Sequence, residues 1–521
     1  MSPQAAWVRW LPWISLAAFT ALWIARWSTF PLVLDPYYHL LIAQQIADAG
    51  GPIAYEWWEY APVGRPHLYP PMLHLVLAMG LKLGWAPLTV IRLVSVTFLP
   101  LLLLSLFLVV RRLFTPSLAL TCVLVGMVPF SFHLHSAITL AATLGMIELL
   151  WLVDALEHGR CLAAGLLISL LCYTHLGLPL MALITVCCAA ILRPAIWRVL
   201  LRASWGVVLA VPWYVHLIRY RAWFHPMPRL ENTMVECMPL LYLAAALGLW
   251  SCWRMKGRAV WWLGCWTGFA ALARHYPYRW LSGEGVLPIV LLAGMGVSWL
   301  AERLVSIFQS SQQRQGSSRE GNTRHLRASL GIVFLLFCSP TLLQTAHGWR
   351  WFWPDSAPAH LLSWPGVVRK EVDTSLYSPA VERLAREVAR QTRPQEIIWS
   401  NAPYAIGLIA ALAHRPIASA MFNEVAAPHA VDAVRAAHVV VWWKIGDLPG
   451  MISQASLAHY PLTLVADTDL AMVLRQAGVS ISARAPVAVM PLSLAMVLLG
   501  ASVALIVWDL RRPRHPSRIP V

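Results

Sequence analysis

The residues best placed for chemistry fall between positions 35 and 71. Asp35-Pro-Tyr-Tyr-His-Leu40 opens the stretch, and Tyr55-Glu-Trp-Trp-Glu-Tyr60 stands in its middle. Gly64-Arg-Pro-His-Leu-Tyr-Pro-Pro71 closes it. Carboxylates and histidines gathered this closely suit proton transfer to or from a reacting group. Asp35 precedes a proline, which disfavours helical geometry at that position. It reads either as a base or as the N-cap of a helix over 37–49. That helix is expected to be amphipathic and to lie at a surface, with His39, Gln44, Gln45 and Asp48 among apolar positions. The Trp and Tyr residues nearby also suit an interfacial aromatic belt.

Three further groups stand out. Arg274 and Arg279 flank an aromatic-proline turn, and a guanidinium matches phosphate geometry better than an ammonium does. His133 and His135 alternate in a short link, a pattern able to hold a transition metal or simply to face a site, and His175 lies at another turn. The segment 217–236 carries Arg219, Arg221, His225, Arg229, Glu231 and Glu236.

The elements that must position these residues are membrane helices. The chain has 521 residues, is 59% hydrophobic and only 12% charged, and has a mean hydropathy of +0.61. Apolar runs of the length that crosses a bilayer recur from end to end. The run 11–27 has no clear small-residue cleavage site and reads as a span. Roughly twelve spans are expected. They fall near 10–28, 88–110, 116–131, 137–154, 160–174, 176–193, 203–219, 237–253, 259–273, 285–303, 329–346 and 487–508. The formal charge of +16 sits mostly in short links between spans, such as Arg111-Arg112 and Arg193 to Arg202. That is the cytoplasmic bias of membrane proteins and argues against nucleic acid as a partner. The nine cysteines lie in or beside spans with no metal-type spacing, and read as small buried apolar residues.

On this map a first external loop covers 29–87. Within it 70–86 reads as a surface or half-inserted helix, because His74, Lys82 and the Tyr69-Pro70-Pro71 start disfavour a crossing. Residues 304–328 are polar and read as a flexible linker. The expected organisation is a membrane domain over 1–346, an external α/β domain over 347–485, and a last span with a basic tail over 486–521. In the α/β domain, helices are expected at 378–391, 404–413 and 428–437. Strands are expected at 396–400, 438–443 and 462–466.

The Asp35 stretch, followed by Arg65-Pro-His-Leu-Tyr-Pro-Pro-Met-Leu-His74, resembles the first external loop of GT-C membrane glycosyltransferases, and most of all that of the oligosaccharyltransferase catalytic subunit. Residues 92–114 are also similar to the second span of the aminoarabinose and protein mannosyl transferases. The resemblance implies a GT-C-like fold, an all-α membrane domain with a small external α/β domain. It implies a polyprenyl-linked sugar donor, and a carboxylate at position 35 acting as catalytic base or metal-linked activator. By the same resemblance Arg279, with Arg274, meets the lipid phosphate, and Glu231 touches the acceptor. Tyr38, His39, Glu56, Glu59, Arg65 and His67 become acceptor or supporting residues. The acidic pair usual in oligosaccharyltransferases is replaced by His133 and His135, so a divalent metal is not supported by an Asp-x-Asp pair. Trp399-Ser400-Asn401-Ala402-Pro403-Tyr404 stands where the sequon-reading motif would be, without its Asp. The expectation is a cell-membrane enzyme moving a sugar to an unknown external acceptor other than a sequon asparagine. A lipid-linked-sugar flippase and a non-catalytic homologue are the alternatives.

Overall fold

The structure is a computed structural model. It describes residues 3–512 apart from 32–34, 139, 225–235, 255–259, 274–278, 280–282, 312–317, 346–347, 353–377, 422–432 and 445–453. From the N-terminus, α1 (Pro3–Ile24) leads to α2 (Asp35–Ala49). A short antiparallel hairpin of β1 (Tyr55–Glu56) and β2 (Arg65–Pro66) follows, then α3 (Met72–Lys82). Next come α4 (Pro87–Leu113), α5 (Pro116–Gly126), α6 (Phe130–Ile138), α7 (Leu140–Glu157), α8 (Cys161–Thr174) and α9 (Leu178–Leu192). The helical series continues through α10 (Pro194–Ala203), α11 (Trp205–Arg219), α12 (Pro239–Arg254), α13 (Val260–Ala273), α14 (Val286–Ser311) and α15 (Ser318–Phe337), and ends with α19 (Leu492–Arg511).

By length and composition, α4, α14 and α19 can each cross a membrane. α10 and α11 meet the same measure as one unit bent by 55°. Several other apolar helices are shorter, and together they bury a continuous aliphatic core. α3 does not cross by itself: its 11 residues reach about 16 Å, roughly half of a hydrocarbon core.

The helices carry their paired charges at one end. Arg112 Nε lies 3.0 Å from Asp154 Oδ1, and His158 Nδ1 lies 3.1 Å from the same oxygen. Arg193 pairs with Glu157, and Asp509 Oδ2 accepts the Ala163 amide at 3.0 Å. These groups terminate α4, α7, α9 and α19 and open α8. His175, discussed below, sits at the opposite ends of two of these helices, after α8 and before α9.

The late unit is an α/β arrangement. β6 (Ile398–Ser400), β7 (Val439–Trp443), β8 (Leu462–Asp467) and β9 (Ala471–Gln476) form one sheet in the order β6-β7-β9-β8. β6 and β7 are parallel; the other pairings are antiparallel. α16 (Pro379–Gln391) begins at an N-cap, Ser378, whose Oγ accepts the Val381 amide at 3.2 Å. It buries Val381, Leu384, Ala385 and Val388, and packs with α17 (Pro403–Ala413). A four-residue helix α18 (Ala433–Ala436) precedes β7.

Four expectations change. α2 is no surface helix: residues 36–47 are all buried, because α3 and α4 cover it on one side and α17 on the other. α3, expected at a surface, is likewise buried along Leu73, Leu75, Leu77 and Ala78. The polar segment 304–328 is helical up to Ser311 and again from Ser318, each part continuing an apolar helix. The span expected at 329–346 ends at Phe337 before Ser339-Pro340, and Thr341–Thr345 instead forms a strand. It lies between Glu236–Cys237 and Gly348–Phe352 in a three-stranded antiparallel sheet. The first half of the helix expected at 428–437 lies outside the described residues, and Ala433–Ala436 is helical.

α12 and α14 approach most closely at two glycines. A Cβ on Gly248 would stand 1.8 Å from the Leu292 carbonyl oxygen, and one on Gly296 would stand 1.9 Å from that of Ala244. Small residues permit such contact between membrane helices, whose association depends on packing. Gly248→Val is therefore expected to destabilise the protein by at least about 2 kcal/mol. Its melting temperature in detergent should fall, while Gly500→Ala, where nothing lies within 4 Å of the added carbon, leaves it unchanged.

Candidate active site

Two polar groups stand out, one tied to α2 and one just before α14. The first is built by the loop after α2. Gly64 holds a φ of +72° in the β1–β2 hairpin, where a Cβ would strike the Tyr55 ring at 2.7 Å and the Glu56 carbonyl at 2.8 Å. That turn directs Arg65 back over Glu56 and Glu59. Arg65 Nη2 lies 2.8 Å from Glu56 Oε2, and Arg65 Nε donates to Glu59 Oε2 at 2.6 Å. Arg65 Nη2 also donates to the Tyr38 hydroxyl at 3.4 Å, tying the hairpin to α2. His67 Nδ1 is 2.5 Å from Glu56 Oε1, and the His67 carbonyl faces His216 Nε2 of α11 at 2.8 Å. Glu59 Oε1 accepts the Met421 amide at 2.6 Å, and Ile417 and Ser419 pair by backbone bonds with Trp58, Tyr60 and Ala61. The loop thereby extends the edge of the α/β unit.

Glu56, Glu59 and Arg65 are completely buried and His67 is 1% exposed. Burial pushes the Glu56 carboxyl up to about 7 despite the pull of Arg65. Burial, and then Arg65, drive the His67 imidazole down to about 3. The two carboxylates hold the Arg65 guanidinium charged against the burial that opposes it. Glu56, Glu59, Arg65 and His67, expected to meet an acceptor or to support the site, are sealed from solvent and hold the loop. Tyr38 and His39 are likewise buried.

Asp35 differs from all of these. It is the first residue of α2, and its side chain is 39% exposed. His39 Nε2, one turn along, lies 3.6 Å from its Oδ2.

The second group is centred on Glu284, just before α14. Arg279 Nη1 and His135 Nε2 lie 3.3 Å and 3.2 Å from its two oxygens, and His175 Nε2 lies at 3.9 Å. Arg279 Nη1 is also 3.3 Å from His175 Nε2. His175 Nδ1 accepts the Gly177 and Leu178 amides at 3.0 Å and 3.1 Å, capping the start of α9. Burial alone would raise the Glu284 carboxyl, but Arg279 and then His135 hold it well below the usual range. Burial, then Arg279, press the His175 imidazole down to about 3, while Glu284 and, less strongly, Asp35 pull it the other way. Glu284 is 1% exposed, whereas 20% of the Arg279 side chain remains accessible.

Several expected residues fall elsewhere. His133 does not join His135: its ring bonds the Gly126 carbonyl at 3.1 Å and packs on Phe19 and Trp23. The alternation that suggested a metal pair sits on a helix, α6, where residues two apart face different directions. Among the described residues, no three His, Cys, Asp or Glu side chains are grouped to hold a metal ion. Arg274 and Glu231 lie outside the described residues. Asn401 bonds both the Trp443 amide, at 2.8 Å, and the Trp443 carbonyl, at 3.2 Å, so the Trp399–Tyr404 stretch is locked to β7. Glu284 and His74 carry no role in the sequence reading. For Glu284 the available signal was an acidic residue a few positions after Arg279 in the same turn.

No protein-family model and no curated protein matches the sequence. Among solved structures, the fold is similar to ArnT from Cupriavidus metallidurans bound to undecaprenyl phosphate. The TM-score is 0.56 at 12% identity, over 91% of this chain and 99% of that one. It is similar to the oligosaccharyltransferase of Archaeoglobus fulgidus in the apo form, with a TM-score of 0.51 at 12% identity over 80% of this chain. That match spans 65% of the archaeal enzyme, a little under two thirds of its length. The archaeal oligosaccharyltransferase AglB from Archaeoglobus fulgidus, in complex with an inhibitory peptide and a dolichol-phosphate, gives a TM-score of 0.52 at 11% identity, over 84% of this chain and 70% of that one.

Removing the Arg65 charge leaves two carboxylates buried together. Arg65→Leu is expected to destabilise the protein by about 3–5 kcal/mol, read as a fall in melting temperature. Glu56 and His67 set opposite pH trends. The raised Glu56 costs stability as pH rises from its unfolded value towards about 7, and the depressed His67 costs stability as pH falls below its unfolded value of 6.5. Glu56→Gln removes the first trend only. Between roughly pH 5 and 6.5 its melting temperature should climb with pH more steeply than that of the wild type.

Proposed function

The chain has a GT-C-like fold and is a multi-pass membrane protein. From that premise we propose that it is a glycosyltransferase that moves a sugar from a polyprenyl-phosphate-linked donor to an acceptor, with Asp35 as base and Arg279 at the donor phosphate. The observation that carries this reading is a partly exposed guanidinium fixed by the buried Glu284, with the partly exposed carboxylate of Asp35 at the start of α2 close enough for its charge to reach His175 of that group, on a fold similar to that of an undecaprenyl-phosphate-bound protein. Asp35 takes the proton of the acceptor as the acceptor attacks the anomeric carbon. The bond from that carbon to the phosphate oxygen breaks, and the lipid phosphate leaves with the electron pair. Arg279 offsets the charge that gathers on the phosphate. Glu284, His135 and His175 hold the guanidinium in place.

The catalytic face is the external one in this reading. Support comes from the charge layout: Arg112, Arg160 and Arg193 cluster at the other ends of the helices, as cytoplasmic ends require. The missing aspartate near Trp399 and the locked Asn401 favour an acceptor other than a sequon asparagine.

Asp35→Asn is expected to lower sugar transfer in proteoliposomes by at least about 100-fold while donor binding persists. Arg279→Ala should reduce the polyprenyl-phosphate lipids that co-purify with the protein, measured by mass spectrometry. Full transfer by the Asp35→Asn protein would remove Asp35 from the role of base. Unlabelled acceptor together with net movement of the intact lipid-linked sugar across the bilayer would point to a flippase instead.

A further inference from the structure

Asp35 is backed by two histidines that no step above uses. His39 Nε2 lies 3.6 Å from Asp35 Oδ2, and His39 Nδ1 lies 2.8 Å from His74 Nε2 of α3. Both imidazoles are fully buried. The rings of Tyr38 and Tyr69 enclose them at 5.2 Å and 5.0 Å from that of His39, and His67 stands 5.2 Å from His74. A hydrogen bond between two neutral imidazoles holds one proton, so one ring donates and the other accepts. The choice has consequences at both outer nitrogens.

If His39 donated from Nδ1, its Nε2 would be a bare lone pair aimed at a carboxylate. His74 would then carry its proton on Nδ1, which has no hydrogen-bond partner among the described residues. If His74 donates from Nε2, His39 accepts at Nδ1 and carries its proton on Nε2, facing Asp35. His74 Nδ1 is then a lone pair rather than an orphaned N–H. His39 Nε2 stands just beyond hydrogen-bond distance of Asp35 and has no bonded partner among the described residues, but of the two outer nitrogens it is the one that faces an acceptor. With one proton on each ring, only the second arrangement turns an N–H toward the carboxylate.

We infer that His74 and His39 form a chain of N–H donors that orients Asp35, running from His74 Nε2 to His39 Nδ1 and from His39 Nε2 to Asp35 Oδ2. The inference rests on the reading of Asp35 as base. His39 is a positioning residue: it holds one carboxylate oxygen and leaves the other for the acceptor. His74 acts one step further back, by fixing which nitrogen of His39 carries the proton. Contacts of this kind are commonly long without substrate and shorten in the reacting complex. The Asp35–His39 spacing of four residues stacks the pair on one face of α2, and α3 supplies the third member.

The first test needs no variant. In protein labelled with ¹⁵N-histidine and held in nanodiscs, His39 is expected to be protonated at Nε2 and bare at Nδ1. The opposite tautomer overturns the inference. The second test separates orientation from folding. His39→Gln, which keeps an N–H near the Nε2 position, should transfer sugar within a few-fold of the wild type. His39→Leu should lose up to about 100-fold in kcat with the donor KM unchanged. In the Asp35→Asn background, His39→Leu should cause no further loss. If Asp35→Asn is inactive while His39→Leu is fully active, the positioning role falls and the base stands. If Asp35→Asn is itself active, the proposed function fails at its base, whatever His39 does.

Discussion

A guanidinium with no solvent exposure sets the geometry of this protein's first loop. Arg65 is buried between Glu56 and Glu59, and removing a charge from water is affordable only where opposite charges and hydrogen bonds surround it. Meeting that condition draws in groups from distant parts of the chain. Tyr38 comes from α2, His67 from the hairpin with its carbonyl against His216 of α11, and the Met421 amide from the α/β unit. None of these can shift without uncovering a charge in a dry interior. The loop is therefore a clamp between the membrane helices and the α/β unit.

That clamp explains why α2 is buried on every side although its sequence alternates polar and apolar residues. Gln44 donates to the Ala411 carbonyl at 2.9 Å, Gln45 accepts the Trp58 amide at 3.3 Å, and Asp48 meets His414 at 2.9 Å. These polar side chains are bolts to neighbouring elements, and the helix keeps substantial access only near its two ends, at Asp35 and Asp48. The group around Glu284 already balances its own charges. Glu284 accepts from Arg279, with His135 of α6 at 3.2 Å and His175, just after α8, at 3.9 Å, so the arginine is oriented before any ligand arrives. Such preorganisation is what electrostatic catalysis requires.

Much of this arrangement was legible in the residues. Repeated apolar runs, with basic links between them, marked where most of the helices lie, although the one expected at 329–346 runs over Ser318–Phe337 instead. The β-branched run before Trp442 and the periodicity of 378–391 marked two elements of the α/β unit. Asp35 and Arg279 stood out because an aspartate before proline and an arginine in an apolar chain both need a reason. Other features were hidden. The strand Ala471–Gln476 lacks a sharp polar alternation, since both of its faces carry apolar residues. The end of the helix at Phe337 turned on Pro340 rather than on hydropathy.

A membrane protein with a helical majority could be read from local composition and spacing alone. The partners of its polar residues could not. His133 and His135 look alike in the chain, yet one faces the first helix and the other Glu284. Glu56 and Asp35 are both acidic residues of one loop, yet one is sealed and the other open. Whether a polar group is a bolt or a reagent depends on what covers it and what it bonds. Here those covering groups come from residues tens to hundreds of positions away, such as His74 for His39 and Met421 for Glu59. Local sequence carries no record of such distant contacts, so burial and pairing emerge only when the helices close around the loop.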